Sequence, residues 1–391
     1  MVDPAPEVVI VGGGIAGLFT AHALVARGIP VTLYEQARAL GEIGAGVWLT
    51  PNGLRHLERV GLGEAVARAA GHVGPGSRYH REDGTEIAGV QLTGSTGPLC
   101  AVGMHRADLV ALLADGLPDG VVHTDRRCVG FAAAGDRVRV EFQDGTEVEG
   151  DVTIACDGIH SALRHHVVPP SEPVFSGAVA YRGLVPHEAV PDWPTDGWNM
   201  WLGPGRHFLT FPVRSGRLIN YVGFVPADEA MRESWSLPGD PDRLRREFAG
   251  WDPRIGELLA HVEATLRWGL YDRDPLPRWV SGRLALLGDA AHPMLPHLGQ
   301  GANQAMEDGM ALAALLARAG RAGAPAALRA YERLRLDRVA QVQRGARENG
   351  LRYDSAYADL AVRDAEMRAH VEYRKQLYDY DVLAAVDRVP A

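Results

Sequence analysis

Lysine is almost missing. Lys375 is the only one in 391 residues, and the other 39 basic side chains are arginines. This excludes a phosphate-gripping Walker lysine and a mid-chain Schiff-base lysine; the skew itself most simply reflects GC-rich coding. Cysteine is scarce as well. Cys100, Cys128 and Cys156 lie far apart and form no CxxC pair, so neither a zinc knuckle nor a disulfide framework is expected, and no metal site. Buried inert thiols are the expectation. Positive net charge is absent: 40 Lys and Arg against 49 Asp and Glu leave −9, which argues against a broad basic face for nucleic acid. No apolar run approaches the roughly 20 residues that span a bilayer, so no membrane segment is expected. The opening MVDPAPEVVIVGG carries acids and prolines in place of the basic start of a secretory signal, and the expected location is the cytoplasm.

What is present is globular material, 46% hydrophobic and 23% charged. At roughly 100 to 200 residues per domain the length argues for two or three packed units with room for a deep cavity. EVVIVGGGIAGLFTAHALVARGIPVTLYEQ reads as a β-branched strand, a glycine turn, an alanine- and leucine-rich helix and a second strand. Gly12, Gly14 and Gly17 form GxGxxG, with Ile15 and Ala16 opening the helix. The first glycine permits the tight turn, the second lets backbone approach a pyrophosphate, and the third lets helix pack on strand. Glu35 ends the second strand 18 residues after Gly17, where an acid hydrogen-bonds an adenosine ribose. A glycine-rich turn alone would be structural; with both strands, the helix and the acid in place, the segment predicts dinucleotide binding.

Two later segments repeat a strand that runs into a polar turn. DVTIACDGIHSALR reaches Asp157 and Gly158, followed by Ser161 and Arg164. GRLALLGDAAHPMLPHLGQGANQAMEDGMALAALLA reaches Gly288 and Asp289, then a loop, then a long apolar helix. Gly299, Gly301, Ala302 and Asn303 stand where that helix begins, and free backbone donors there suit an anionic group. Each aspartate taken alone reads as closing a turn. Between 172 and 275 the texture changes to short aromatic strands, VFSGAVAYRGLV, GWNMWLG, RHFLTFPV and LINYVGFV. Their period-two alternation predicts an antiparallel sheet with one face on the core and the other lining a cavity. His207, Leu209 and Phe211 share one face; Trp201 and Tyr221 are expected at the same space, with plain core as the other reading. Beyond 320 the chain reads as helix with self-pairing exposed faces, and no repeat appears.

Together, these three motifs in this order, spread over some 280 residues, resemble the class A flavoprotein monooxygenases, the single-component FAD-dependent aromatic hydroxylases. EIGAGVWLTPNGLRHLERVGL, HRADLVALL, AYRGLVP, RHFLTFPV and PHLGQGANQAMEDG are similar to the branch of salicylate hydroxylase, 3-hydroxybenzoate 6-hydroxylase and 6-hydroxynicotinate 3-monooxygenase. The resemblance covers most of the chain. It implies an α/β fold with a Rossmann-type, glutathione-reductase-like FAD-binding domain over 1–171 and 276–320, which lends segments around 72–102 to its neighbour. It further implies an inserted antiparallel-sheet substrate domain over 172–275 and C-terminal helices over 321–391 packed on the FAD domain. Noncovalent FAD, NADH or NADPH as transient donor, O2 as cosubstrate and a small aromatic substrate follow, in a monomer or homodimer. By position, Glu35 would hold the adenine-side ribose, Arg106 the FAD and Asp289 the ribityl-diphosphate region. Asp157 would serve FAD and NAD(P)H, and Arg38 is a further cofactor candidate. No second GxGxxG appears, so the nicotinamide is expected to visit a surface groove. The lysine deficit excludes the catalytic lysine of flavin halogenases.

The implied chemistry is NAD(P)H- and O2-dependent hydroxylation of a small electron-rich aromatic or heteroaromatic compound, a hydroxylated aromatic carboxylate, through a flavin C4a-hydroperoxide. Such chemistry needs a dry pocket and gains from a base that removes a phenolic proton. His207 and His297 match positions where relatives carry active-site residues, and histidine titrates in the right range; a structural histidine is the other reading of each. His292 is expected to brace its loop. Arg182 would place a positive charge near the flavin or else pair with an acid in the sheet. One departure matters: where relatives carry tyrosine in an HxxxY pattern, this chain has Phe211. The other readings are an FAD oxidoreductase without oxygen insertion, an FAD-binding protein without turnover, and a hydroxylase of a larger phenolic natural product.

Overall fold

The computed structural model describes residues 4–41, 45–74, 76–90, 93, 100–227, 237–357 and 359–389. Four buried residues, Val8–Val11, form the central strand of a six-stranded sheet. Val31–Tyr34 pairs with it in parallel on one side and Val152–Ala155 on the other, with Leu284–Leu286 beyond the latter. Val8–Val11, Val152–Ala155 and Leu284–Leu286 are buried along their whole length, as parallel strands under helices are. The three polar motifs therefore leave the carboxyl ends of three adjacent parallel strands: Gly12 after Val11, Asp157 after Ala155, and Asp289 after Leu286. Ligands of open α/β sheets bind outside those ends.

The glycines of the first turn have different duties. A Cβ on Gly12, which has φ +108°, would lie 2.2 Å from the Cys156 carbonyl oxygen, and one on Gly17 would lie 1.9 Å from that of Gly12. Nothing lies within 4 Å of a Cβ built on Gly14. The first and third glycines are thus demanded by the chain's own packing, and the second faces open space.

The α/β architecture is completed by an eight-stranded sheet, antiparallel except where Arg78–Arg81 joins Asn199–Gly203 in parallel. Six of its strands lie between Val174 and Asp272; Arg78–Arg81 and Glu86–Gly89 come from the earlier part of the chain. Of the 72–102 segment, positions 75, 91, 92 and 94–99 lie outside the described residues, as do 42–44 of the EIGAGVWLTPNG motif. One face of the sheet packs on Leu244, Phe248, Ile255 and Leu258. The other looks toward the parallel sheet.

The helix Gly301–Asp354 is broken at Gly320, whose φ of 64° no L-residue adopts readily. Its first part buries Leu312, Leu315 and Leu316 in the core of the parallel sheet. Its last part turns Val342, Ala346 and Tyr353 toward the antiparallel sheet, where Leu360–Asp379 adds Met367, Leu377 and Tyr378. The tail thus bridges both sheets. Among the described residues no helix is long and apolar enough to cross a membrane, and no group of three His, Cys, Asp or Glu side chains could hold a metal ion.

Candidate active site

Two cavities open at the carboxyl ends of the parallel strands, one of about 560 Å³ and one of about 300 Å³. Gly14, Arg106, Cys156, Gly158 and Arg182 line both, so the two form one trough. Cys128 and Cys156 also line it; burial pushes both thiols up, Cys128 to about 11, which keeps them protonated and inert.

The larger part of the trough is built for an anionic, elongated guest. The helix Ile15–Val25 points its start into it, with Gly14 as a cap that offers no side chain, so its backbone donors stay available. The Glu35 carboxylate is fixed beside the turn, accepting from the Gly13 N–H at 2.6 Å and the Ala37 N–H at 2.8 Å. Arg106 opens the helix Arg106–Asp115; burial lowers its pKa and the Asp289 carboxylate opposes that. Burial raises Asp289, against the pull of His292, Arg106 and Arg164. Asp157 caps the turn that follows it, accepting from the N–H groups of Ala162 at 2.8 Å and Leu163 at 3.3 Å. Arg164 then ties the two aspartate loops together, donating to the carbonyls of Ile159 and Gly158 on one and of Asp289 and Ala290 on the other. Arg38 is not brought to the trough. Its side chain is 91% exposed, 3.9 Å from an Asp125 side chain that is itself 67% exposed. Arg126 and Arg127 line the wall in its place, because backbone bonds from Asp125 to Ala37 and from Arg126 to Glu35 lay that loop along the strand end.

The smaller part is apolar. Leu209 and Phe211 enter it from one strand, Val222 and Phe224 from the next, and Trp268 and Trp48 close its sides. Gly299, Gly301 and Ala302 form the edge toward the trough. Asn303 is engaged elsewhere: it accepts from the Thr50 N–H and donates to the Trp48 and Gly299 carbonyls, bracing the Gly46–Leu49 strand. Arg182 supplies charge to the wall; burial lowers its pKa to about 10, and Arg106 adds a like-charge push.

The structure corrects the expected place of two aromatics. Trp201 pairs with Phe208, and Tyr221 with Thr210, so both stand on the sheet face opposite Leu209 and Phe211. Trp201 donates its indole N–H to Asp252 at 2.7 Å, and Tyr221 lies fully buried in the far core, its hydroxyl pushed up to about 12 by burial.

The two histidines come together one layer behind the wall. His207 shares the face of Leu209 but stacks under Phe224, with ring centroids 4.1 Å apart, and meets His297 edge-on at 5.2 Å. Its Nδ1 is 2.7 Å from the Asp354 carboxylate, a partner from the end of the long helix that nothing in the sequence announced. Burial, and then His207, lowers the His297 pKa well below its ordinary value, so that ring is neutral. Neither histidine lines the cavity; Phe224 and Pro296, which cover them, do. His292 braces its loop, its Nε2 2.5 Å from Asp308 in a fully buried pair.

Residues 5–346 match the model of the FAD binding domain family. The chain belongs to that family. It is 40% identical over 353 residues to 3-amino-4-hydroxybenzoate 2-monooxygenase PtmB3 of Streptomyces platensis, covering 88% of each chain. A salicylate hydroxylase substrate complex superposes with a TM-score of 0.85 at 30% identity, covering 100% of both chains. HpxO of Klebsiella pneumoniae, solved with FAD and uric acid, gives 0.79 at 30% identity over 97% of this chain and 95% of that one.

The residues of this FAD-binding chain fit a dinucleotide on their own evidence. Gly14 leaves space that any side chain would fill, the helix start beside it is uncapped, and Arg106 sits buried where a diphosphate would offset its desolvation. Sequence reasoning missed Arg126, Arg127, Trp48, Trp268 and Asp354; in a chain with 39 arginines no local signal separates Arg127 from Arg38.

Proposed function

We propose that this FAD-binding protein is a monooxygenase that hydroxylates a small electron-rich aromatic or heteroaromatic compound, a hydroxylated aromatic carboxylate, using NADH or NADPH and O2. The observation that carries the reading is the apolar cavity of Trp48, Leu209, Phe211, Phe224 and Trp268, which joins the dinucleotide trough and has Arg106 and Arg182 at the junction. FAD, when bound, supplies the relay of two electrons from the nicotinamide to dioxygen and the electrophilic oxygen delivered to the ring. The residues named do the rest. Glu35 holds the adenosine ribose, Arg106 and Asp289 hold the chain of the cofactor, and Asp157 keeps its loop in place. Trp48, Phe211 and Trp268 grip the faces of a flat ring and exclude water. Arg182 faces the carboxylate or phenolate oxygen. Segments 1–171 and 276–320 serve the cofactor, 172–275 the substrate, and 321–391 ties the two together.

His207 is the proton acceptor in this reading. Donation from Nδ1 to Asp354 leaves the lone pair on Nε2, which has no partner within the protein, as does Nδ1 of His297. The pair lies behind Phe224, so the phenolic proton reaches it only when that ring swings aside. With phenylalanine at 211 no hydroxyl on that face of the strand can do the same work, since Thr210 stands on the opposite face with Tyr221.

The test is a panel of hydroxybenzoates, aminohydroxybenzoates and hydroxypyridine carboxylates, scored by stimulated NAD(P)H oxidation and by oxygen-18 incorporation from labelled dioxygen. At least one should gain label. If none does while an amine or alkene is turned over, the hydroxylase reading is wrong. Replacing His207 or His297 by glutamine should leave reduction of the flavin intact, slow hydroxylation roughly 100-fold and release the unused oxygen as hydrogen peroxide. Full coupling in both variants would assign the histidines to structure.

A further inference from the structure

The two indoles that close the apolar cavity are held differently. Trp268 is half-buried, and Arg182 lies over its ring at 5.4 Å. Trp48 is 7% exposed and boxed in on several sides. Its ring is 5.4 Å from that of Phe211 and 6.4 Å from that of Trp198. A Cβ on Gly299, which has φ +63°, would lie 2.7 Å from its Cδ1. The Asn303 side chain then clamps the main chain: its Nδ2 donates to the Trp48 carbonyl at 3.0 Å and to the Gly299 carbonyl at 2.8 Å, and its Oδ1 accepts from the Thr50 N–H at 2.9 Å. One side-chain amide thus satisfies the C=O of Trp48 and the N–H two places on, as a neighbouring strand would. The indole N–H of Trp48 is buried without an acceptor among the described residues, so this ring contributes area and stiffness instead of a hydrogen bond.

The register of the antiparallel sheet sets the distance between this fixed wall and the charge at the other side of the cavity. Arg182, Val222 and Leu209 stand side by side on three neighbouring strands, and Asn220 and Phe211 belong to the next row on the same face. From Arg182 to Phe211 is two strands across and two residues along, roughly 12 Å between Cα atoms. Phe211 cannot yield at its corner, because Cβ atoms on Gly46 and Gly103 would lie 2.5 and 2.4 Å from its ring, so its edge already rests on backbone. Once the guanidinium and the phenyl have taken their shares, the length that remains is that of one substituted ring, and Trp48 stands at its end.

We propose that Trp48 is the specificity-determining residue of this cavity: it ends the slot one ring away from Arg182 and restricts the guest to a single ring, with Asn303 as the positioning residue that keeps it there. The proposal rests on the reading of the cavity as the substrate site given above. An indole that grips a ring and cannot move also sets how long the guest can be. Removing it joins its volume to the slot, as far as Trp198.

The experiment is calorimetric titration, without NADH or NADPH, of the FAD-loaded, full-length wild type and of its Trp48→Ala, Trp48→Leu and Asn303→Ala variants. The probes are 2-, 3- and 4-hydroxybenzoate and 6-hydroxy-2-naphthoate, which adds one fused ring along the same axis. The wild type should bind at least one hydroxybenzoate and hold the naphthoate roughly 10- to 100-fold more weakly, the range expected for a ring forced into a packed wall. Trp48→Ala should reverse that order. Trp48→Leu should do so to a smaller degree, and it keeps the test open should the larger excavation fail to fold. Asn303→Ala should move the ratio of the two affinities in the same direction, and on top of Trp48→Leu it should add nothing, because an effect that acts only through the indole vanishes with it. A residue that merely supports the fold would weaken both kinds of ligand alike and leave the ratio where it was. Parallel losses of that kind in the Trp48 variants would overturn the proposal, as would a wild type that takes the naphthoate as tightly as its best hydroxybenzoate; in both cases the substrate reading stands. Failure of every one of these proteins to bind any of the acids would instead sink the substrate reading, and the size limit with it.

Discussion

Two neighbouring regions of this protein handle buried charge in opposite ways. Near the start of the long helix, Glu307, Asp308 and Arg335 are wholly buried and matched within the chain. Arg335 donates to both carboxylates and to the Gln304 side chain, Arg338 adds two bonds to Glu307, Asn52 adds another, and His292 takes the second oxygen of Asp308. In the trough, Arg106 and Arg182 are buried close enough to repel each other, and the carboxylate beside them, Asp289, has its pKa raised by burial. Charge that the chain matches itself ties the two parts of the long helix together across its break at Gly320. Charge that meets like charge at a cavity wall is stabilised once an anionic guest arrives.

The sharpest way to separate the two regions is to alter each alone. Gly14→Leu reaches into the trough and leaves the cluster alone, because a Cβ at that position has no protein atom within 4 Å. Its effect should be the largest on the cofactor and nearly nil on the apoprotein: colourless protein that takes up no FAD on reconstitution, with apo stability within about 0.5 kcal/mol of wild type. Flavin fluorescence and urea unfolding read the two halves. A yellow Gly14→Leu protein would mean that the trough does not hold the cofactor.

Arg335→Met does the converse. It leaves two buried carboxylates without their main partner and should cost about 3 to 5 kcal/mol. Burial alone would raise the Glu307 pKa, but Arg335 and Arg338 hold it down to about 2, against an ordinary 4.5. The stability tied to that ionisation is fully present above pH 4.5 and is lost as pH falls through about 2. Urea midpoints of the wild type should therefore fall steeply between those values. In Arg335→Met that slope should flatten, and an unchanged slope would remove the cluster from the account of acid stability.

The same contrast explains how much of the molecule its sequence disclosed. Strand, glycine turn and acid are local events, so the Gly12 turn, Asp157 and Asp289 were legible, and the fold puts all three at one sheet end. His292 was read as a brace from its place inside GDAAHP, and its ring meets Asp308 across the loop. The aromatic strands were legible as strands but not by face. Whether Trp201 and Tyr221 look into the cavity depends on their register against Phe208 and Thr210, and a shift of one residue would have reversed the answer. Asp354 was beyond reach, since its contact with His207 spans 147 residues and is set by where a helix broken at Gly320 ends.

Smaller in effect is Arg182→Met. A charge-assisted hydrogen bond to a substrate anion is worth about 1.5 to 3 kcal/mol, which predicts a rise in KM of roughly 10- to 100-fold for a carboxylated substrate with FAD retained. Steady-state kinetics on matched substrates with and without the carboxylate would show whether the loss follows that group. An equal loss for both would make Arg182 part of the framework of the wall.

The smallest contrast, between Arg38 and Arg127, isolates position from charge type. Both are arginines close to the end of the Glu35 strand, and only Arg127 lines the trough. The Arg38 side chain is 91% exposed, and its contact with Asp125 is one that solvent screens to little. Arg38→Ala should therefore leave FAD affinity unchanged. Arg127→Ala removes a positive charge from the wall near where the adenosine end would lie, at a partly solvated site, so its loss should weaken FAD binding by only about 3- to 10-fold. The difference should shrink as ionic strength rises from 0.01 to about 0.5 M, because salt shortens the reach of a charge that is not fully enclosed. Titration of apoprotein with FAD at the two salt concentrations reads this directly. A larger loss from Arg38→Ala than from Arg127→Ala would reverse the assignment, and would mean that the 125–127 loop moves aside when the cofactor binds.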